Sequence, residues 1–465
     1  MNMINVRRLA VMTFLGAGML SDISAQDFSL QADTLNEARL PAQWDLQSCI
    51  DYALEQNITI RKNRVTAEST QIDVKTAKAA LFPSLSFSTS QQVVNRPYQE
   101  TSSRVSGSEI ISSNSKTSYN GNYGLNASWT IYNGSKRLKT LKQERLNNQV
   151  AELDVATSEN TIKESIAQIY ITILYAAESV RVNENTLQVS IAQRDRGQEL
   201  LNAGSIAKSD FAQLEAQVST DRYQLVTAQA TLQDYKLQLK QLLELDGENE
   251  MNVYLPKLSD ENVLAPLPAK KDVYVSALAI RPEIEASKLN VEASELGIDI
   301  AKSSYFPTIS LSAGIGTNHT SGSDFTFGEQ VKNGWNNSIG LSVSVPIFNN
   351  RQTKSAVQKA KLQRETDMLS LLDEQKALYK TIESLWLDAN SAQQRYAAAN
   401  EKLRSTQISY DLISEQFNLG MKNTVELLTE KNNLLQAQQE QLQAKYMAIL
   451  NTQLLKFYQG DKLTL

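Results

Sequence analysis

Four segments of this 465-residue chain, 84–90, 119–132, 308–317 and 335–348, contain no Asp, Glu, Lys or Arg, although those residues make up 21% of the sequence. Each alternates. Tyr119, Gly121, Tyr123, Leu125, Ala127, Trp129 and Ile131 interleave with Asn120, Asn122, Gly124, Asn126, Ser128 and Thr130, and Ile339, Leu341, Val343 and Val345 interleave with Ser338, Gly340, Ser342 and Ser344. A period of two places the first set on one face of a strand and the second on the other. A sheet packed on its own core is the usual home for such strands, but it needs a second apolar layer. The rest of the chain reads as thin helical rods whose apolar seams face one another, so hydrocarbon is the expected partner of the face that carries Tyr123, Leu125, Trp129, Leu341 and Val343. Aromatic residues toward the strand ends and lengths near 9 to 11 residues fit a tilted membrane strand.

The chain is duplicated. Setting residue n against n + 224 aligns Ala53–Ser90 with Ala277–Gly314 without a gap, matching Ala77-Lys78 to Ala301-Lys302 and Phe82-Pro83 to Phe306-Pro307. Farther along, an offset of 216 lays "YNGNYGLNASWTIYNG" on "WNNSIGLSVSVPIFNN" and brings Gly204 onto Gly420. The change of offset falls in the connection between the strands, where insertions are tolerated. Each copy reads as helix, strand, loop, strand, long helix, turn, helix. Residues 45–81 and 272–305 are helical in pattern and stop at Pro83 and Pro307, since proline disfavours helix in the residue before it. Strict alternation follows each proline, which makes Pro83 and Pro307 helix-to-strand joints.

Residues 135–203 and 351–419 hold no proline, and apart from Gly197 no glycine. Leu378, Ile382, Leu385, Ala389, Ala392, Tyr396, Ala399 and Leu403 form the narrow seam of helices packed side by side. Gly204 and Gly420 supply the break for a helical hairpin, and Leu428, Leu435, Leu442 and Ile449 mark the returning helix. The domain reading is therefore 1–25 as signal peptide, 26–246 as first repeat, 247–269 as connector, 270–460 as second repeat and 461–465 as tail. Arg7 and Arg8, an apolar run too short to span a bilayer, and small residues ending at Ala25 carry the signal assignment.

A net charge of −5 argues against a nucleic-acid partner. The single cysteine, Cys49, reads as a buried thiol in a helix, and the single histidine, His319, as an exposed loop residue. No nucleophile triad, histidine-rich metal site or glycine-rich phosphate loop is present, so no enzyme activity, cofactor or metal is expected.

Four strands cannot close on themselves, and an open edge in hydrocarbon leaves amides and carbonyls unpaired at several kcal/mol each. Two chains give eight strands and a filled interior; three give twelve and a lumen lined by Ser, Asn, Gly and Thr. The expected fold is an α+β membrane protein: a trimeric 12-stranded β-barrel, four strands per chain, continued by a long α-helical barrel. The duplicated unit, the opening "WDLQSCIDYALEQN", the "LFPSLSFS" and "YFPTISLS" joints, and the glycines of "LLNAGSIAKSDF" and "FNLGMKNTVELL" together resemble the TolC-like outer-membrane efflux family over essentially the whole mature chain. The resemblance implies a homotrimeric duct in outer-membrane lipid that docks a periplasmic adaptor (membrane fusion protein) linked to an inner-membrane pump, in efflux or type I secretion. It also implies that the hairpin tips, with Gly204 and Gly420 at the turns, form the adaptor-facing end, and that Asp210, Lys422 and Glu426 line the periplasmic aperture. Asp210 and Lys422 then bridge the two hairpins, while Glu426 forms a threefold ring of carboxylates. Thr429 stands where some members place a second acid, and Phe417 where some have a tyrosine. A periplasmic adaptor or scaffold with long hairpins is the competing reading; such a protein would not need four charge-free strands in a duplicated pair.

Overall fold

The computed structural model describes residues 41–98, 102–106, 109–113, 116–245, 251–256, 263–321, 323 and 325–464; the expected signal peptide, 1–25, lies outside them. Contacts divide the chain into two units. In the smaller one Trp44 forms a parallel bridge with Val253, through Trp44 N to Asn252 O at 2.8 Å and Tyr254 N to Trp44 O at 2.9 Å. The larger unit, residues 45–251 and 255–465, carries the remaining architecture.

It begins with α1 (Leu46–Gln56) and α2 (Ile58–Ala79). The sequence pattern treats 45–81 as one helical stretch, and the structure breaks it at Asn57. The Asn57 side chain accepts from Thr59 N at 2.9 Å and Ile60 N at 3.4 Å, starting a new helix in a way that Asn favours. Cys49 is fully buried on α1, and burial pushes its thiol up to about 12, so it behaves as a small apolar group. Residues 272–305 are likewise interrupted: α5 (Lys270–Ile280) ends at Arg281, and α6 (Pro282–Lys302) starts with Pro282 in its first turn. A short 3₁₀ turn, Ser303–Tyr305, precedes Pro307.

The sheet is antiparallel in the order β1 (Ser84–Asn95), β4 (Thr117–Asn133), β5 (Thr308–Thr320), β6 (Asn336–Ser344). Pro83 and Pro307 stand immediately before β1 and β5. β1, β4 and β5 are longer on their distal side than their charge-free segments: the stretch 91–118, expected as the loop between the first two strands, contributes the end of β1, the start of β4 and a separate hairpin, β2 (Ser102–Ser106) with β3 (Glu109–Ser113). The stretch 317–334, also read as a loop, holds the end of β5 and a helix, α7 (Phe327–Asn333). His319 therefore lies on β5 and is half-buried, not exposed on a loop. β6 stops at Ser344 although alternation continues to Ile347, because Pro346 has no N–H to give a ladder.

Register keeps like with like. Leu85, Ala127, Ala313 and Ile339 form one cross-strand row, and Phe87, Leu125 and Ile315 the next, which ends in Asn337; Trp129, Leu311 and Leu341 continue the same face. The opposite face carries Ser84, Ser128, Ser312 and Gly340, then Ser86, Asn126, Gly314 and Ser338. Below the level of α7 the apolar face has no protein layer over it among the described residues: Leu85 is 69% exposed and Leu341 65%. Among the described residues, β1 and β6 each have an outer edge without a strand partner.

Two helices of 67 residues each, α3 (Lys136–Asn202) and α8 (Gln352–Asn418), run from the sheet for about 100 Å. They return through α4 (Lys208–Leu242) and α9 (Thr424–Gln459). Near the sheet the packing order is α2, α3, α6, α8; toward the far end it is α4, α3, α9, α8. Of the expected seam on α8, Leu378, Ile382, Ala389, Ala392, Tyr396 and Ala399 are buried, several in a cluster with Val273, Ala277, Ile284, Leu455 and Tyr458. On α9 the buried stripe is wider than Leu428, Leu435, Leu442 and Ile449: Leu428 and Leu442 are half-buried, while Leu427, Leu434, Ala437 and Ala444 are buried beside Leu435 and Ile449. A helix packed between two neighbours needs more than a two-sided seam.

The duplication is visible in the backbone. Each strand-to-long-helix joint uses two successive left-handed residues, Gly134 and Ser135 in the first copy and Asn350 and Arg351 in the second. At Gly134 (φ +69°) a Cβ would stand 2.7 Å from Ser303 O, so glycine is required by space as well as by conformation. Gly134→Ala is expected to cost more than the roughly 1–2 kcal/mol of a left-handed residue alone. Asn350→Gly at the duplicated, exposed position should change stability by about 0.5 kcal/mol or less; urea unfolding followed by circular dichroism measures both.

Candidate functional site

The two hairpin tips are built alike. Gly204 and Gly420 both adopt φ +72°. In each turn the glycine N–H and the next residue's N–H return to the last helical carbonyls: Gly204 to Leu201 and Ser205 to Leu200, Gly420 to Phe417 and Met421 to Gln416. This is the left-handed helix termination that glycine allows at least cost. A Cβ on either glycine would meet nothing within 4 Å, so the constraint is purely conformational.

Asp210 and Glu426, equivalent by the 216-residue offset, perform the same local task. Asp210 Oδ2 accepts the Ala207 N–H at 3.3 Å, and Glu426 Oε2 accepts the Asn423 N–H at 3.2 Å. The second copy completes the reciprocal cap, since Asn423 Oδ1 accepts from Glu426 N at 2.9 Å; Ala207 has no oxygen to offer. Lys422 Nζ lies 2.6 Å from Glu426 Oε1. That hydrogen bond, with the Asn423 N–H, holds the Glu426 carboxyl below the usual carboxylate range. Within one chain Lys422 thus pairs with Glu426 of its own hairpin, not with Asp210 on the other hairpin.

Leu214, Phe417 and Leu427 are buried together beneath the tips, with Leu200, Tyr410, Ile413 and Leu428 around them. Phe417 fills apolar space there. Gly197, the one glycine inside a long helix, lets α4 approach: a Cβ at this site would overlap Leu214 Cδ1.

Polar contacts then tie the first hairpin to the second. Gln193 Nε2 donates to Tyr410 Oη at 2.9 Å, and Arg196 Nη2 to Asn418 O at 3.3 Å. Deeper, Lys431 of α9 donates to Asp221 of α4 and to Ser190 of α3, and Ser190 donates to the same Asp221 oxygen. Gln217 Nε2 supplies the other Asp221 oxygen at 2.9 Å. Lys431 and Asp221 are 3% and 1% exposed, which makes this a buried ion pair and not a surface one. Burial draws the Lys431 ammonium below the ordinary lysine range, with Asp221 opposing. The sequence reading did not select these residues. Their signal was positional: Asp221 continues the apolar stripe Leu214–Val218, and Lys431 interrupts the stripe from Leu427 to Leu434. Among the described residues, no group of three or more His, Cys, Asp or Glu is placed to hold a metal ion.

Lys431→Met leaves the Asp221 carboxylate buried without its counter-charge, and should cost about 3–5 kcal/mol. The double variant Lys431→Met, Asp221→Leu should cost less than that single change. Urea unfolding of all variants tests this, and a single-variant cost no larger than that of a surface pair would remove the buried pair from the tip's energetics.

The profile of the family described as "Outer membrane efflux protein" matches residues 49–244 and 273–460, one block per repeat. The outer membrane efflux protein BepC of Brucella suis is 26% identical over 294 residues, 63% of this chain and 61% of its own length. The outer membrane protein TolC of Escherichia coli is 24% identical over 341 residues, 70% of this chain and 66% of its own. The matched stretch therefore spans less than two thirds of either relative. Among solved structures, CusC superposes with a TM-score of 0.76 at 19% identity, covering 91% of this chain and 94% of that one. VceC of Vibrio cholerae superposes at 0.74 and 16%, covering 90% and 97%. The structural neighbours share the fold of long helices with four antiparallel strands per chain, and with both repeats matched the chain belongs to the outer membrane efflux protein family and is a protein of the outer membrane.

Proposed function

We propose that this chain is the outer-membrane exit duct of a tripartite efflux or type I secretion system, a passive homotrimeric channel opened by a periplasmic adaptor and an inner-membrane pump. One observation carries the reading: a four-stranded sheet with an uncovered apolar face, a polar opposite face and two open edges. Twelve strands from three chains close those edges, pairing β6 of one subunit with β1 of the next. The apolar rows, with Tyr123, Leu125, Trp129, Leu341 and Val343, then meet lipid, while the Ser, Asn and Gly rows line water. Tyr119 and Trp129 are ten residues apart on β4, about 33 Å along a strand. At a tilt of about 40° this is about 25 Å along the membrane normal, the height of an apolar band between aromatic girdles.

The helices support the same closure. α2 and α8 are the outer members of the packing order near the sheet, and both carry exposed apolar residues seven apart, Val65 and Ile72 on α2 and Leu362 and Leu369 on α8. Such unpaired seams fit a neighbouring copy. At the far end, three copies of Glu426 make a carboxylate ring that favours cations, and Asp210 and Lys422 sit at the same tips, able to meet across subunits. The turns at Gly204 and Gly420 are the surface offered to the adaptor. The family is one of efflux channels and not of enzymes, and a duct driven by an attached pump needs no catalytic group of its own.

Cell fractionation should recover a heat-sensitive trimer from the outer membrane; a solitary periplasmic species would overturn the duct. Leu125→Arg, near mid-depth, should destabilise the barrel by about 2–4 kcal/mol, and Asn126→Arg on the water side should be tolerated. Asp210→Ala with Glu426→Ala should raise single-channel conductance and weaken cation preference in planar bilayers; unchanged values would remove the aperture from these residues.

A further inference from the structure

Helix α7 has no counterpart in the aperture or the lumen, and its position follows from parity. Ile309, Leu311, Ala313, Ile315, Thr317 and His319 share one face of β5, because the pairing of β5 with β4 runs without a bulge from Leu311 to Thr320. α7 is fastened to that face. The His319 ring stands edge-on to Phe327 of α7, with centroids 5.0 Å apart, and to Tyr119 of β4 at 5.5 Å. Thr317 Oγ1 donates to Val331 O at 2.8 Å, and the Thr320 N–H donates to Gln330 Oε1 at 2.8 Å. Gln330 Nε2 in turn holds Phe325 O at 2.9 Å. The helix thus lies on the apolar face of the sheet, one row beyond the row of Phe87, Leu125, Ile315 and Asn337.

We propose that α7 is a lipid-contacting foot, seated in the headgroup layer of the outer leaflet and thereby held away from the channel exit; this rests on the duct reading above. The chemistry of its surroundings grades as a membrane interface does. Below it the rows are mainly apolar, Phe87, Leu125, Ile315 and Asn337 first and then Leu85, Ala127, Ala313 and Ile339. At its level come Gln91, Tyr119 and His319, with Phe325, Phe327 and Trp335 exposed around the helix. Aromatic side chains collect at this depth because one end is apolar and the other wet. The side of α7 turned from the sheet carries Gly328, Glu329 and Lys332, all exposed. Glu329 is occupied in capping Thr326, whose N–H it accepts at 2.8 Å, so among the described residues of this segment Lys332 is the outward charge left for a lipid phosphate. A segment resting on hydrocarbon would not carry these groups, and one hanging in the exit would not need the apolar ones. His319 Nδ1 is buried with no hydrogen-bond partner among the described residues, so the histidine serves here as an aromatic bracket between strand and helix.

The test uses nitroxide labels on the full-length trimer in vesicles of phosphatidylethanolamine and phosphatidylglycerol, with the buried Cys49 replaced by alanine. Gly328→Cys is the reporter, since a Cβ there meets nothing within 4 Å. Leu341→Cys and Ser338→Cys are the references for lipid and for the water side. Paramagnetic relaxation by oxygen and by a water-soluble nickel chelate is expected to place Gly328 between the two, at headgroup depth. Full nickel accessibility at Gly328, with Leu341 still protected, overturns the foot alone; full accessibility at Leu341 overturns the barrel as well. Adding His319→Ala should release α7 and raise nickel accessibility at Gly328 to the Ser338 value, and no change would show that the ring stack does not hold it.

Discussion

A backbone amide at membrane depth has no water to bond, and every larger feature of this chain is arranged around that constraint. The sheet satisfies its inner strands by ladder pairing, but β1 and β6 keep one open edge each. Such edges are tolerable in solution only if short or guarded by charge, and these carry no Asp, Glu, Lys or Arg at all. In the proposed trimer, closure by identical neighbours would turn the same edges into ladder bonds. The helical part faces the same geometry, because α2 and α8 end the packing order near the sheet with apolar residues still exposed. The proposed subunit association would complete sheet and rod together.

The duplication gives the molecule two copies of each device, and the differences between copies mark where the surroundings differ. Gly134 is forced by Ser303 of the other repeat, while Asn350, in the same left-handed conformation, is exposed and keeps its side chain. Both hairpins cap their returning helix with the acid six residues beyond the turn glycine. Only the second adds Asn423 and Lys422 to that cap. The second tip is therefore the more tightly organised, and its contacts hold the Glu426 carboxyl below the usual carboxylate range.

Between the tips and the sheet, coupling runs through a few side chains. Lys431, Asp221 and Ser190 join three helices from both repeats at one buried point, and Gln193 with Tyr410 adds a second tie. Separating α9 from α3 and α4 at this level strands an ammonium and a carboxylate in an apolar seam, which is costly. The hairpins of one chain are thus bound to each other more firmly than their exposed, screened tip charges alone would bind them.

Local chemistry was enough to read the class of fold. Alternation without charge specified strands with one apolar face, Pro83 and Pro307 the joints, Gly204 and Gly420 the turns, and long proline-free stretches the rods, because each depends on residues within a few positions. Breaks at Asn57 and Arg281 escaped that reading, since helical periodicity continues across them and only cap geometry reveals the interruption. The tertiary structure decided what depends on distant partners. It moved His319 from an exposed loop to a bracket between Tyr119 and Phe327, gave Asp210 and Glu426 capping duties, and brought together Ser190, Asp221 and Lys431, residues up to 241 positions apart. A charge on an apolar stripe is visible in one dimension; the opposite charge that makes it tolerable is found only when the helices pack.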